Sequence, residues 1–104
     1  MLSGSAYNGA RKGWDALEFE WDENKAAANW KKHGISFFKA ARVFEDDYRK
    51  EYYDIAHSDE EDRYITIGRA DDVLFVVYVE RREKIRIISA RYANRQERRL
   101  YYDG

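Results

Sequence analysis

Leu17-Glu18-Phe19-Glu20-Trp21 alternates apolar and charged residues, the period-two pattern of a half-buried strand. Asp22 can then cap a helix over Glu23 to His33, with Ala26, Ala27, Trp30 and His33 on one side and Gly34 as a left-handed stop. Ser36 can cap a second helix, in which Phe37, Ala40, Ala41 and Phe44 recur at helical spacing. The acidic Glu45-Asp46-Asp47 ends that pattern. Four further strands follow. Glu51 to Ala56 carries the weakest signal. Arg63 to Arg69 is rich in β-branched residues, and Asp71-Asp72 supplies a short hairpin connection into Val73 to Glu80. Val73 to Glu80 reads Val-Leu-Phe-Val-Val-Tyr-Val-Glu and is apolar on both faces, so it belongs at the centre of a sheet, at least partly covered on each side. Arg81 to Glu83 turns the chain into Lys84 to Arg91. Asn94 with Glu97 three residues on resembles a capping box, and predicts a helix over Arg95 to Tyr102. Strand, two helices, an antiparallel meander and a final helix make an α+β fold.

The first fifteen residues are rich in Ser, Gly, Ala and Asn and show no period, so a flexible tail, 1–15, precedes one domain, 16–104. Without a cysteine there is neither a disulfide framework nor a thiolate metal site, which fits a reducing, cytoplasmic setting. No apolar run is long enough to span a membrane, so no membrane partner is expected. The overall charge of −1 argues nothing about partners, but its distribution does. Glu45 to Asp62 carries a net −7 and Lys84 to Arg99 a net +5. Such asymmetry suits one surface for a polyanion and another for a basic partner.

The chain has no glycine-rich phosphate loop and only two histidines, His33 and His57, without the spacing of a zinc site. The run Asp59 to Asp62 lacks the spaced ligands of a calcium loop. No metal or cofactor is expected. What remains is a set of arginines on strands, whose planar guanidinium groups match phosphate and stay charged. RNA can be cleaved without a metal when its 2′-hydroxyl attacks the adjacent phosphate. Arginine then stabilises the phosphorane, and His33, His57, Lys32 or Glu80 are the candidates for moving protons. Tyr92, Tyr78 and Trp30 can stack on bases, although core packing also explains Trp30 and Tyr78. His33 at a helix end also suits the helix dipole without any chemistry. Strict alternation puts Arg86 and Arg91 on opposite faces of the last strand, unless a bulge or the strand end re-aims Arg91.

Phe19 to Lys25, Asn29, Lys32-His33-Gly34-Ile35, Phe38, Ala41 and Val43-Phe44 together resemble the opening of the BrnT family of toxins. The resemblance continues through Glu61-Asp62-Arg63-Tyr64 and Ile67-Gly68. It ends with Arg86-Ile87-Ile88-Ser89-Ala90-Arg91, Ala93 and Arg95 to Tyr101. It implies a type II toxin of RelE-like fold that cleaves RNA and inhibits translation. It also implies a ribbon-helix-helix antitoxin, usually dimeric and so giving a heterotetramer, through which the complex would bind operator DNA. Lys32, His33, Arg63, Arg86 and Arg91 are the site residues this resemblance carries over, and Glu80 is added on chemical grounds. The competing expectations are a toxin-like module without activity that only binds an antitoxin or other protein, and a nonspecific nucleic-acid binder.

Overall fold

A computed structural model describes residues 17–103. The expected tail, 1–15, lies outside the described residues. The elements are β1 (Glu18–Glu20), α1 (Glu23–His33), α2 (Phe37–Arg42), β2 (Lys50–Tyr53), β3 (Arg63–Ala70), β4 (Asp72–Arg81), β5 (Lys84–Tyr92) and α3 (Arg95–Asp103). They form an α+β fold around a five-stranded sheet of order β1-β5-β4-β3-β2. The meander β2 to β5 is antiparallel, and β1 joins β5 in parallel. The apolar β4 is therefore the central strand, as its composition demands. Among the described residues no helix is long and apolar enough to cross a membrane.

The helix ends follow from short-range chemistry. Asp22 Oδ2 accepts from the Lys25 N–H at 3.0 Å, and Ser36 Oγ accepts from the Lys39 N–H at 3.0 Å. Gly34 takes φ 70° and donates its N–H to the Trp30 carbonyl, closing α1. At α3 the capping box is reciprocal: the Glu97 N–H donates to Asn94 Oδ1 at 2.8 Å, and the Asn94 N–H donates to Glu97 Oε1 at 2.9 Å. The β4–β5 hairpin turns on Arg82 and Glu83, both at positive φ, the geometry of a two-residue hairpin loop.

Two expected elements are shorter than the pattern suggested. α2 stops at Arg42, and Val43–Glu45 tightens into a 3₁₀ turn. That turn presses on β3, where a Cβ at Gly68 would sit 3.3 Å from the Val43 carbonyl oxygen and 3.0 Å from the Arg49 Cβ. β2 ends at Tyr53, and Ile55–His57 forms another 3₁₀ turn.

α1 and α2 cover one face of the sheet. There Phe37, Ala40, Val43 and Phe44 meet Leu74, Val76, Tyr78, Ile85, Ile87 and Ala90. Phe44 packs edge-on against Tyr78 at 5.0 Å between ring centroids, and Tyr78 donates its hydroxyl to Glu51. Trp30 is not in this core; it is 60% exposed. The position that α1 buries is Asn29, one residue earlier on the helix. Its amide donates to the Ala90 carbonyl at 2.8 Å and accepts from the Ala90 N–H at 3.1 Å. Asn29 thus continues the β5 ladder beyond the point where the three-residue β1 ends. On the other face α3 covers only one end, where Ile67, Val73, Ala93 and Tyr101 pack together.

Candidate functional site

The half-open face is read from register. Along β3, the residues turned away from Tyr64 and its stacking partner Tyr78 are Arg63, Ile65, Ile67 and Arg69. On β4 the same side carries Val73, Phe75, Val77, Val79 and Arg81. On β5 it carries Lys84 and Arg86, and then the phase changes. Tyr78 pairs with Ile87 but Val77 pairs with Ser89, so Ile88 is an extra residue, a bulge. Beyond it Ala90 drops into the helix-covered core with Ile87, and Ser89 and Arg91 turn to the open face. Strict alternation separates Arg86 from Arg91; one inserted residue puts them on the same side.

Arg63, Val79 and Arg86 lie in one cross-strand row. Two strand spacings, about 10 Å, separate the two arginine backbones. Val79 between them is only 1% exposed. Arg81, at the end of β4 beside this row, makes two hydrogen bonds to Glu61, Nε to Oε2 at 2.6 Å and Nη2 to Oε1 at 2.8 Å. Those bonds hold the Glu61 carboxyl below its ordinary range, and the nearby charges of Arg63 and Arg86 act in the same direction. Arg86 also pairs with Glu20 of β1 at 3.4 Å. Arg63 has no side-chain hydrogen bond among the described residues, whereas its N–H donates to Ser58 Oγ at 2.8 Å.

Arg91 shares the face but is committed. Its guanidinium grips Glu97 of α3 with bonds of 2.8 and 3.0 Å, and lies 4.0 Å from the centroid of the Phe75 ring. Burial pushes the Glu97 carboxyl up, but the bonds from Arg91 and the Asn94 N–H outweigh it and leave the group below its ordinary range.

The remaining expected residues are not brought to this row. Glu80 pairs in register with Ile85, on the side of Tyr64 and Tyr78, and is exposed. Lys32 and His33 lie in the last turn of α1 and make no side-chain hydrogen bond among the described residues. His57, by contrast, lines a shallow depression of about 280 Å³ with Asp59, Glu60, Glu61 and Arg63. Its Nδ1 lies 3.2 and 3.1 Å from the two carboxylate oxygens of Asp54, which leaves Nε2 as the free nitrogen.

Glu61 and Arg81 are the members that sequence reasoning passed over. Arg81 was readable, since alternation along β4 carries the side of Val77 and Val79 one step further to it. Glu61 was hidden in a run of four acids, where nothing local separates the one that faces three arginines from its neighbours. Among the described residues no three His, Asp or Glu side chains converge as metal ligands.

This arrangement offers a cationic row on an apolar floor, one ionised carboxylate and an oriented imidazole. The chain matches the model of the family described as the ribonuclease toxin BrnT of type II toxin–antitoxin systems, over residues 21–97. The chain belongs to the BrnT family. BrnT proteins are therefore the context for its fold and its toxin class. The structure is similar to the 1.1 Å crystal structure of the Brucella abortus ribonuclease toxin BrnT, with a TM-score of 0.60 and 23% identity, over 76% of this chain and 99% of that one. None of the curated proteins matches the chain. As a BrnT-family member it is a toxin of the type II class, in which an antitoxin is the partner.

Proposed function

We propose that this BrnT-family chain is a metal-independent endoribonuclease acting from the open face of its sheet. The observation that carries this reading is the row Arg63–Val79–Arg86, flanked by Arg81 and Glu61. In this reading the scissile phosphate sits on Arg63 and Arg86, whose fixed positive charge opposes the charge that develops on the phosphorane. The 2′-oxygen forms its bond to phosphorus as its proton passes to Glu61. The bond from phosphorus to the 5′-oxygen breaks as the His57 imidazolium gives that oxygen its Nε2 proton and is left as neutral imidazole. The products are a 2′,3′-cyclic phosphate and a 5′-hydroxyl. Asp54 holds the imidazole for this step. Glu61 is a weak base, because Arg81 keeps it ionised, so most of the rate comes from the arginines. Arg91 acts at one remove, by tying α3 to β5. Lys32, His33 and Glu80 have no part in the step.

RNA incubated with the protein in excess EDTA should yield those two ends, and expression without a partner should stop translation. A requirement for added divalent metal would sink the metal-free reading. The same resemblance supports a dimeric ribbon-helix-helix antitoxin, with operator DNA bound by the complex. A neighbouring reading frame of that type, copurifying as a heterotetramer that shifts its own promoter DNA, is the corresponding result. Cytoplasmic action follows from an RNA substrate engaged in translation.

A further inference from the structure

A second cleft, of about 400 Å³, opens beside α3 and is lined by Tyr48, Lys50, Arg69, Tyr101 and Tyr102. It lies on the same side of the sheet as the arginine row. Lys50 pairs with Ile67, Arg69 follows Ile67 by one alternation, and Tyr101 packs in the cluster with Ile67. Tyr52 and Ile65, one row nearer Arg63, connect the two places.

The cleft is assembled rather than incidental. Asp46 accepts three hydrogen bonds: from the Tyr48 N–H at 2.9 Å, the Arg69 N–H at 2.8 Å and the Tyr101 hydroxyl at 2.6 Å. Both carboxylate oxygens are thereby engaged, and this carboxylate organises the walls rather than presenting a free acceptor. The Arg69 guanidinium donates to the Tyr102 hydroxyl at 2.9 Å and so fixes that ring. Yet Tyr48 and Tyr102 are 76% and 59% exposed. Tyr48 is anchored through its backbone and Tyr102 through its hydroxyl, yet both rings are left open to solvent and do not serve the core. With two cations between them, they match an unpaired base and its phosphate, which together want a flat apolar surface and a nearby positive charge.

We infer that this cleft is a subsite for an unpaired nucleotide of the RNA, flanking the one that is cleaved. The choice of ligand rests on the ribonuclease reading, whereas the binding test does not need cleavage. The probe is a fluorescent single-stranded oligoribonucleotide with 2′-O-methyl groups, which the 2′-hydroxyl mechanism cannot cut. Tyr48→Ala and Tyr102→Ala should each weaken its binding about tenfold or more, with unchanged circular dichroism. Tyr102→Phe, which keeps the ring and loses only the bond from Arg69, should bind nearly as wild type. Lys50→Ala should lower the salt dependence of binding by about one unit of slope. A dinucleotide spanning only the scissile bond should be cut by the tyrosine variants as by wild type.

Folded tyrosine variants that bind the oligonucleotide as wild type does would overturn the subsite. If such variants instead lost only the antitoxin, the cleft would be a protein-docking surface and the inference would equally fall. Wild-type protein that binds the probe through these tyrosines but cuts no RNA would leave the subsite standing and remove the ribonuclease reading.

Discussion

The two faces of the sheet spend the same kinds of residue differently. The helix-covered face turns aromatic rings inward, where Phe44 contacts Phe19 and Tyr78 and is 2% exposed. The open face leaves apolar side chains as a floor and sets arginines around it. Apolar burial governs the first and fixed charge the second, so stability and activity should separate by face.

The sharpest break in that comparison is Phe44→Ala. Truncating a buried aromatic should cost about 3–5 kcal/mol in urea unfolding, with specific activity per folded molecule retained. Arg63→Ala and Arg86→Ala should do the reverse. Each should reduce cleavage roughly 10²- to 10³-fold, as loss of one charge-stabilising donor does, while the thermal midpoint stays near wild type. Unfolding of either variant at ambient temperature would make these arginines structural and collapse the distinction.

Arg91→Ala tests the boundary between the faces. It removes a partly exposed bidentate pair, so it should cost about 1 kcal/mol and act on cleavage only as far as α3 shifts. A loss of activity as deep as that of Arg86→Ala would move Arg91 into direct contact with the phosphate. Thr66 sharpens the comparison from the other side. Its hydroxyl is buried on the helix-covered face with no hydrogen-bond partner among the described residues, so Thr66→Val should stabilise the fold by about 1 kcal/mol with no change in cleavage.

The smallest effect is on pH. Burial raises the Asp46 carboxyl, but bonds from Tyr101, Tyr48 and Arg69, with the charge of Arg49, hold it below its ordinary range. The folded state therefore prefers the ionised form. Its contribution is present above the unfolded carboxylate range, near pH 4, and is lost as pH falls through the lower folded value. Asp46→Asn should flatten that acid limb. The same bond, with burial as the larger cause, pushes the Tyr101 hydroxyl up to about 12. Tyr101 should therefore stay protonated in an alkaline absorbance titration that ionises exposed tyrosines.

Most of the fold was legible because its signals are local. Capping residues at Asp22, Ser36 and Asn94 bond as their spacing predicts, and the doubly apolar β4 is central. The parallel pairing of β1 with β5 was not legible, since it joins residues far apart in the chain with no local mark. Trp30 misled because apolar character was weighed above position, when the inward side of α1 is set by Asn29 and its two bonds to Ala90. The site was legible in its residue types and not in its assembly. Arginines on strands were evident, but the bulge at Ile88 decides which of them share a face, and a bulge leaves little trace in a run as uniform as Arg-Ile-Ile-Ser-Ala-Arg.

Asn29 has a consequence for how the chain behaves in a crowd. β1 covers only the first part of β5, and an uncovered ladder is a template on which a second molecule can add a strand. One amide, bonded to both backbone groups of Ala90, removes that template at this position without another strand. With Asn29 changed to alanine, the backbone groups of Ala90 lose their partner, so the melting temperature should fall and turbidity should grow with protein concentration.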